Sequence, residues 1–184
     1  MKPIIFLIPV TALLIVITLY ILLLKKVADK KIFKRFFLIM VLISFISNEV
    51  WELVQMPLYK QPINKMGHIA FCTLAALADM IMVLLLYLSF AFIYKNPFWI
   101  AQRNYFKIFV VMLTGAVGAV LSEKRHLRIG SWAYDQSMPI VPFVNVGLSP
   151  LLQFFLLPVV TYFLSRFIIS KFYNHTILHH INHH

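Results

Sequence analysis

Five apolar runs divide the chain. A membrane-spanning helix needs ~20 consecutive apolar residues, and we find runs of about that length at 4–24, 36–56, 67–93, 105–122 and 147–169. The first run ends at Lys25-Lys26 without a small-residue cleavage site, so we expect a retained helix and not a signal peptide. The pattern predicts one domain, residues 1–184, that is an all-α five-helix transmembrane bundle with a His-rich cytoplasmic tail at 170–184.

Polar residues interrupt the second apolar run near its end. At ~100° per residue, Ser44, Asn48, Glu52 and Gln55 share one narrow helix face, and Glu49 flanks it. Ionisable side chains at membrane depth are costly and usually face a bundle interior or a water-filled cavity. The stretch therefore predicts a functional site.

Composition supports a membrane protein. Hydrophobic residues make up 61% of the chain and charged residues 12%, whereas soluble domains average about 45–50% and about 25%. The net charge of +11 does not indicate nucleic acid binding, because the sequence has no basic face outside the apolar segments. The basic excess instead indicates topology and contact with anionic membrane lipids.

The basic residues predict the orientation of the bundle. The loop K-K-V-A-D-K-K-I-F-K-R that begins at Lys25 is strongly basic, which is typical of a cytoplasmic loop. This assignment places the N-terminus outside and the C-terminus in the cytoplasm. Lys124, Arg125 and Arg128 then fall on the outer side, against the rule.

With this orientation, polar groups from four helices converge in the outer leaflet. His68, Cys72, Ala75 and Asp79 share one face of the third helix, Glu123 ends the fourth helix, and Gln153 follows the start of the fifth. Gly115 and Ala119 form a small-residue face that predicts close helix packing. We further expect Asp79 to be hydrogen-bonded, for instance to Asn48 or Gln153. The stretch M-P-I-V-P-F-V at 138–144 is expected to dip back into the membrane as a re-entrant segment.

A cluster of carboxyl groups that holds protonated and ionised members together is suited to general acid–base chemistry. We therefore predict acid–base processing of a lipid-soluble small molecule, such as double-bond migration or cyclisation. The predicted catalytic residues are Glu52 and Glu123, assisted by His68. The predicted substrate-binding residues are Asn48, Glu49, Gln55, Asp79, Arg125, Trp132, Tyr134 and Gln153. We predict no cofactor.

Several alternatives stay open. Glu49 and Glu52 would pair with Arg125 and Arg128 if the acids only anchor the outer loop, and Trp132 and Tyr134 would then be membrane-interface aromatics. The carboxyl groups would equally suit a proton- or cation-coupled transporter, or a non-catalytic binding or assembly protein.

A metal site is a further alternative. Glu123 and His126 have the Glu-x-x-His spacing of carboxylate-bridged metal bundles, although that unit occurs once here. The histidines of the tail are a second candidate for binding a metal.

Two blocks of sequence resemble a known group of proteins. They are W-E-L-V-Q-M-P-L-Y at Trp51–Tyr59, and G-S-W-A-Y-D-Q-S-M-P with G-L-S-P-L-L-Q between Gly130 and Gln153. Both resemble uncharacterised bacterial polytopic membrane proteins of about this length, which implies a bacterial cytoplasmic (inner) membrane and no particular activity. The architecture is also similar to that of emopamil-binding-type sterol isomerases, five-helix proteins with membrane-embedded His and Glu, although no motif is shared.

Overall fold

A computed structural model describes residues 7–60, 65–102 and 104–172, except for the side chains of Lys65, Met66 and His68. Its helices are α1 (Leu7–Lys26), α2 (Lys30–Gln55), α3 (Lys65–Ile93), α4 (Tyr105–Arg128) and α5 (Leu148–Phe172). All five are long and apolar enough to cross a membrane. The prediction of an all-α, five-helix membrane protein is confirmed at this level.

Two helices, α2 and α4, extend six residues beyond one end of their apolar runs. α2 begins at Lys30, six residues before the predicted start, because the side chain of Asp29 accepts a hydrogen bond from the Ile32 amide (2.9 Å) and caps the helix. α4 continues from the predicted end at 122 to Arg128. The last turns of α4 are polar, so the hydropathy pattern did not include them. The predicted end at 122 was therefore wrong.

The end of α4 is set by Gly130, which has a φ of +69°. The Ser131 amide donates to the His126 carbonyl (2.9 Å) and the Gly130 amide donates to the Leu127 carbonyl (3.3 Å). These two bonds form a Schellman motif, which needs a residue in the left-handed conformation after the helix. The motif directs the chain after α4 back over the bundle.

The helices pack unevenly. α2 packs along both α3 and α5, α4 packs along α5, and α1 packs mainly against α3, whereas α3 and α4 touch at few positions. α2 and α4 end, and α3 and α5 begin, at the same end of the bundle, which we call the site end. The opposite end is filled by aromatic side chains whose polar atoms are bonded, for example Tyr87 to the Pro97 carbonyl and Tyr162 to the Val83 carbonyl (both 2.7 Å).

A short β-hairpin joins α4 to α5. β1 (Ile140–Val141) pairs with β2 (Val146–Gly147) in antiparallel register. The stretch predicted as re-entrant forms this hairpin, and the chain turns between the strands, with Phe143 at φ +70° and 99% exposed. Its entry into the membrane stays a prediction. Of the predicted His-rich tail, Ser170–Phe172 belong to α5, and residues 173–184 lie outside the described part of the chain.

Gly115 confirms the predicted close packing of the small-residue face. A Cβ atom built there would lie 2.2 Å from the backbone carbonyl oxygen of Phe154 on α5, whereas one built at Gly118 meets nothing within 4 Å. We expect Gly115→Ala to lower stability by about 1–3 kcal/mol, because a backbone atom cannot move aside. Gly118→Ala should be neutral or stabilising by up to about 1 kcal/mol. Thermal unfolding in detergent measures both, and equal effects would contradict this packing.

Candidate functional site

A cavity of about 500 Å³ lies between α2, α3, α4 and α5 near the site end. Its polar lining consists of Glu52, Gln55, Lys60, Cys72, Asp79, Ser122, Glu123, Ser131 and Gln153. The rest of the lining is apolar, small or aromatic: Met56, Tyr59, Gly67, Phe71, Ala75, Ala119, Trp132, Pro150 and Phe154. A mostly apolar wall with a few convergent polar groups is the usual form of a small-molecule site.

Side-chain amides tie α2 to α5 at the base of the cavity. Gln153 is 2% exposed, and its Nε2 lies 3.0 Å from Asn48 Oδ1 and 2.9 Å from Asp79 Oδ2. Gln55 donates to Gln153 Oε1 (3.2 Å), and Ser149 donates to Gln55 Oε1 (2.8 Å). The predicted bond between Asp79 and Gln153 is confirmed. Because each amide is bonded at both ends, the network holds the nearby carboxyl groups in one orientation.

Glu52 and Asp79 face each other from α2 and α3, and their carboxyl groups contact each other as a hydrogen-bonded pair. Glu52 Oε1 also accepts from Gln55 Nε2 (2.6 Å) and from Gln153 Nε2 (3.3 Å). Two carboxyl groups in contact cannot both ionise without strong repulsion, so the pair keeps at least one proton. The site therefore contains a proton that a ligand in the cavity can receive.

Glu123 is arranged differently, although it lines the same cavity. Its Oε2 accepts hydrogen bonds from Tyr134 Oη and from Trp132 Nε1 (3.2 Å). Two donors directed at one oxygen stabilise a carboxylate. Glu123 therefore accepts hydrogen bonds from two side chains, whereas the carboxyl groups of Glu52 and Asp79 contact each other.

Backbone pairing positions Trp132 and Tyr134. The Lys60 amide donates to the Ala133 carbonyl and the Asp135 amide donates to the Leu58 carbonyl (both 2.9 Å), so the chain after α4 pairs with the chain after α2. Tyr134 Oη also accepts from the Gly147 amide (2.9 Å). Burial and the bond to Glu123 raise the pKa of Tyr134, so its phenol stays protonated and acts as a donor. Burial and the neighbouring carboxyl groups raise the pKa of Tyr59 as well.

Four predicted binding residues do not line the cavity. Asn48 and Tyr134 hydrogen-bond to the lining residues Gln153 and Glu123, whereas Glu49 and Arg125 contact other groups. Glu49 accepts a hydrogen bond from Thr73 Oγ1 on α3 (2.9 Å). Arg125 does not line the cavity, and its Nη1 is buried without a hydrogen-bond partner in the described structure. No ion pair joins Glu49 or Glu52 to Arg125 or Arg128 in that part of the chain. The idea that these charges anchor the outer loop is therefore not supported.

Two histidines, His68 and His126, were considered for the site. The side chain of His68 lies outside the described residues. His126 shares a helix with Glu123, as the Glu-x-x-His spacing requires, but its ring stacks on Trp132 (4.2 Å, 14°) and its Nδ1 lies 3.0 Å from Ser131 Oγ. Glu123 and His126 thus contact different groups. Within the described residues, no three His, Cys, Asp or Glu side chains are placed to hold a metal ion.

Sequence reasoning missed much of the apolar wall, in particular Met56, Phe71, Pro150 and Phe154. These residues carry no chemical signal, because an aromatic or apolar residue in a membrane helix usually faces lipid or a neighbouring helix. The available indication was position: Met56, Phe71 and Phe154 adjoin Gln55, Cys72 and Gln153 in the chain, and Pro150 lies three residues before Gln153. The predicted face of α3 was informative, since Cys72, Ala75 and Asp79 all line the cavity.

The site thus combines a carboxyl pair that holds at least one proton, a third carboxyl group that accepts two hydrogen bonds, and an apolar wall. Such a site can move protons on a molecule that is otherwise uncharged. Comparison of the chain with protein-family models, with curated protein sequences and with solved structures finds no match to any of them.

Proposed function

We infer that this protein is an integral membrane enzyme that catalyses an acid–base isomerisation or cyclisation of a lipid-soluble small molecule. The observation that carries the inference is the separation of roles in one cavity: the Glu52–Asp79 pair holds a proton, while Glu123 accepts hydrogen bonds from Trp132 and Tyr134. The enclosing helices and the apolar wall favour a substrate from the lipid phase.

The proposed reaction transfers protons and needs no oxidant or reductant. The Glu52–Asp79 pair begins with both carboxyl groups protonated. It gives one proton to one carbon of a double bond and keeps the other proton between its two carboxyl groups, and a carbocation forms on the next carbon. Glu123 then removes a proton from a carbon beside the cation, and the new double bond forms there. Atoms and charge balance, since one proton enters the substrate and one leaves it. Exchange with water returns the proton from Glu123 to the pair.

The aromatic rings near Glu123 support this chemistry. Tyr59 and Trp132 both line the cavity, and their rings meet edge to face with centroids 6.4 Å apart. The face of an aromatic ring attracts a cation, so these rings stabilise positive charge that develops on the substrate. A cation-forming reaction therefore suits the wall as well as the carboxyl groups.

A transporter is supported less well by the same geometry. Beyond Asp79 the buried side chains of α3 are all apolar or aromatic: Val83, Leu84, Tyr87, Leu88, Phe90 and Ala91. They pack into the aromatic cluster at the opposite end, where the Tyr87 hydroxyl is already bonded to a backbone carbonyl. A relay for protons or cations needs polar groups through both halves of the bundle. The described polar groups are concentrated near the site end.

For the orientation we propose that the site end faces the outside of a bacterial cytoplasmic membrane, with the N-terminus outside and the C-terminus in the cytoplasm. The basic loop between α1 and α2 supports this arrangement. The similarity of the two sequence blocks to bacterial polytopic membrane proteins supports the choice of membrane.

The function is tested by deuterium uptake. Membranes that contain the protein are incubated in heavy water, and the lipid extract is examined by mass spectrometry. A shared proton on Glu52 and Asp79 exchanges with solvent, so we expect one lipid-soluble compound to gain deuterium. Glu52→Gln should slow this uptake by about 100-fold or more, as expected on removal of a general acid.

The matched control is Glu49→Gln, which removes a carboxyl group from the same helix but outside the cavity. It should leave the rate of uptake unchanged. Equal rates in wild-type and Glu52→Gln membranes would refute the proposed chemistry, provided that both proteins are present at equal level.

A further inference from the structure

The cavity is not enclosed equally by its four helices. α2 packs along α3 and α5, and α4 packs along α5, so three of the four helix boundaries are closed. α3 and α4 approach each other towards the opposite end, where a Cβ atom built on Gly115 would lie 3.7 Å from Leu86 Cδ2. From that level towards the site end, the cavity lies between these two helices.

Small side chains border the cavity on both sides of this gap. Ala75 lines it from α3, and Ala119 and Ser122 line it from α4. Ser122 both lines the cavity and is exposed on the surface of the protein, so the cavity reaches the surface between the helices. Gly118, one turn before Ser122, adjoins open space. The gap thus leads from the carboxyl groups to the side of the bundle.

Aromatic rings cover the cavity towards the site end. Trp132, from the chain after α4, lies edge to face on Phe71 of α3, with ring centroids 6.4 Å apart. Tyr59 also packs against Trp132 edge to face, with ring centroids 6.4 Å apart. These rings extend from the chain after α4 to α3, on the site-end side of the gap. The gap therefore opens at the side of the bundle, where α4 exposes apolar residues such as Leu121 and Val117.

We propose that the ligand enters the cavity laterally from the lipid bilayer, between α3 and α4, past Ala75 and Ser122. The route selects a substrate class: an uncharged, slender molecule with a long apolar portion, because moving a charge through the hydrocarbon region costs at least about 2.5–3.5 kcal/mol. A soluble charged metabolite is excluded by this route. The inference rests on the proposed function for what the ligand does, but the route concerns access and not chemistry.

Cys72 provides a direct test, since it is the only cysteine in the chain and it lines the cavity. The protein is placed in lipid nanodiscs, which expose both faces of the bilayer to water. It is then treated with an apolar maleimide (N-pyrenylmaleimide) or with a sulfonated maleimide that stays in water. The rate of Cys72 labelling is read from the protein mass. We expect the apolar reagent to react at least ten-fold faster.

Variants at the gap show whether the labelling rate depends on passage between α3 and α4 or only on the solubility of the reagent in lipid. Ser122→Trp should slow labelling by the apolar reagent at least five-fold, because the indole closes the gap. The milder Ser122→Leu should slow it at least two-fold. The matched control is Leu121→Trp at the neighbouring position. The Leu121 side chain is 66% exposed and does not line the cavity, so this change should have no effect. Thermal unfolding confirms that each variant is folded.

Two results would overturn lateral entry. One is labelling by the sulfonated maleimide as fast as by the apolar reagent, which would show access from water near Lys60. The other is an unchanged rate in folded Ser122→Trp and Ser122→Leu. Labelling requires no turnover, so either result leaves the deuterium experiment intact, and a failure of that experiment leaves the entry route intact.

Discussion

Gln153→Leu is expected to destabilise the folded protein by about 3 kcal/mol or more. The Gln153 side chain is buried and bonds to four polar groups, on Asn48, Gln55, Asp79 and Glu52. Leucine has a similar size but no polar atoms, so those groups lose a partner inside the protein, at about 1–3 kcal/mol for each one left unsatisfied. Equilibrium unfolding in mixed detergent measures the loss.

The control for this change is Gln136→Leu, at an exposed position in the loop after α4. It should change stability by no more than about 0.5 kcal/mol. If Gln153→Leu costs less than about 1 kcal/mol, the amide network is not the connection that holds α2 and α5 together at the base of the cavity.

Filling the cavity should remove its ligand. Ala75 lies on the cavity wall, and Ala75→Phe places a ring in the space between Asp79 and the aromatic cover. We expect at least ten-fold less lipid-soluble compound to remain on the purified variant than on the wild type. The compound is extracted with organic solvent and quantified per mole of protein by mass spectrometry.

Leu74→Phe is the matched control, because Leu74 precedes Ala75 on the same helix but is 37% exposed and does not line the cavity. It should retain as much compound as the wild type. Equal retention by Ala75→Phe and Leu74→Phe would show that the extracted compound is bound elsewhere.

The number and type of helices followed from hydropathy alone, because each bilayer crossing requires a long apolar run. The positions of the helix ends could not be predicted from hydropathy. Asp29 caps α2 within a basic loop, and Gly130 ends α4 beyond a strongly polar turn. Caps depend on single side chains and on backbone conformation. A hydropathy window averages over such details.

The helical part of the site was predictable to a similar extent. The period of α2 correctly grouped Asn48, Glu52 and Gln55, and topology brought Gln153 to the same level. Glu49, however, lies about 60° around the helix from Glu52. That rotation directs it towards Thr73 on α3 and away from the cavity. Which side of a helix faces a cavity depends on its neighbours, and local sequence does not state those.

The role of the loop after α4 was not predictable. Trp132 and Tyr134 were expected to bind substrate or to lie at the membrane interface, but they donate hydrogen bonds to Glu123. Their positions depend on the backbone pairing between Lys60 and Ala133, which connects segments that are distant in the chain. No periodic pattern predicts such a pairing.

The central claim is that the cavity transfers protons to and from a molecule of the lipid phase. Purified wild-type protein, reconstituted with a lipid extract of its own membrane, tests this claim most directly in heavy water. We predict that the compound retained by the wild type and lost from Ala75→Phe gains deuterium at carbon, and that Glu123→Gln protein binds it without this gain. A retained compound that gains no deuterium with the wild type would contradict the account and identify a binding protein.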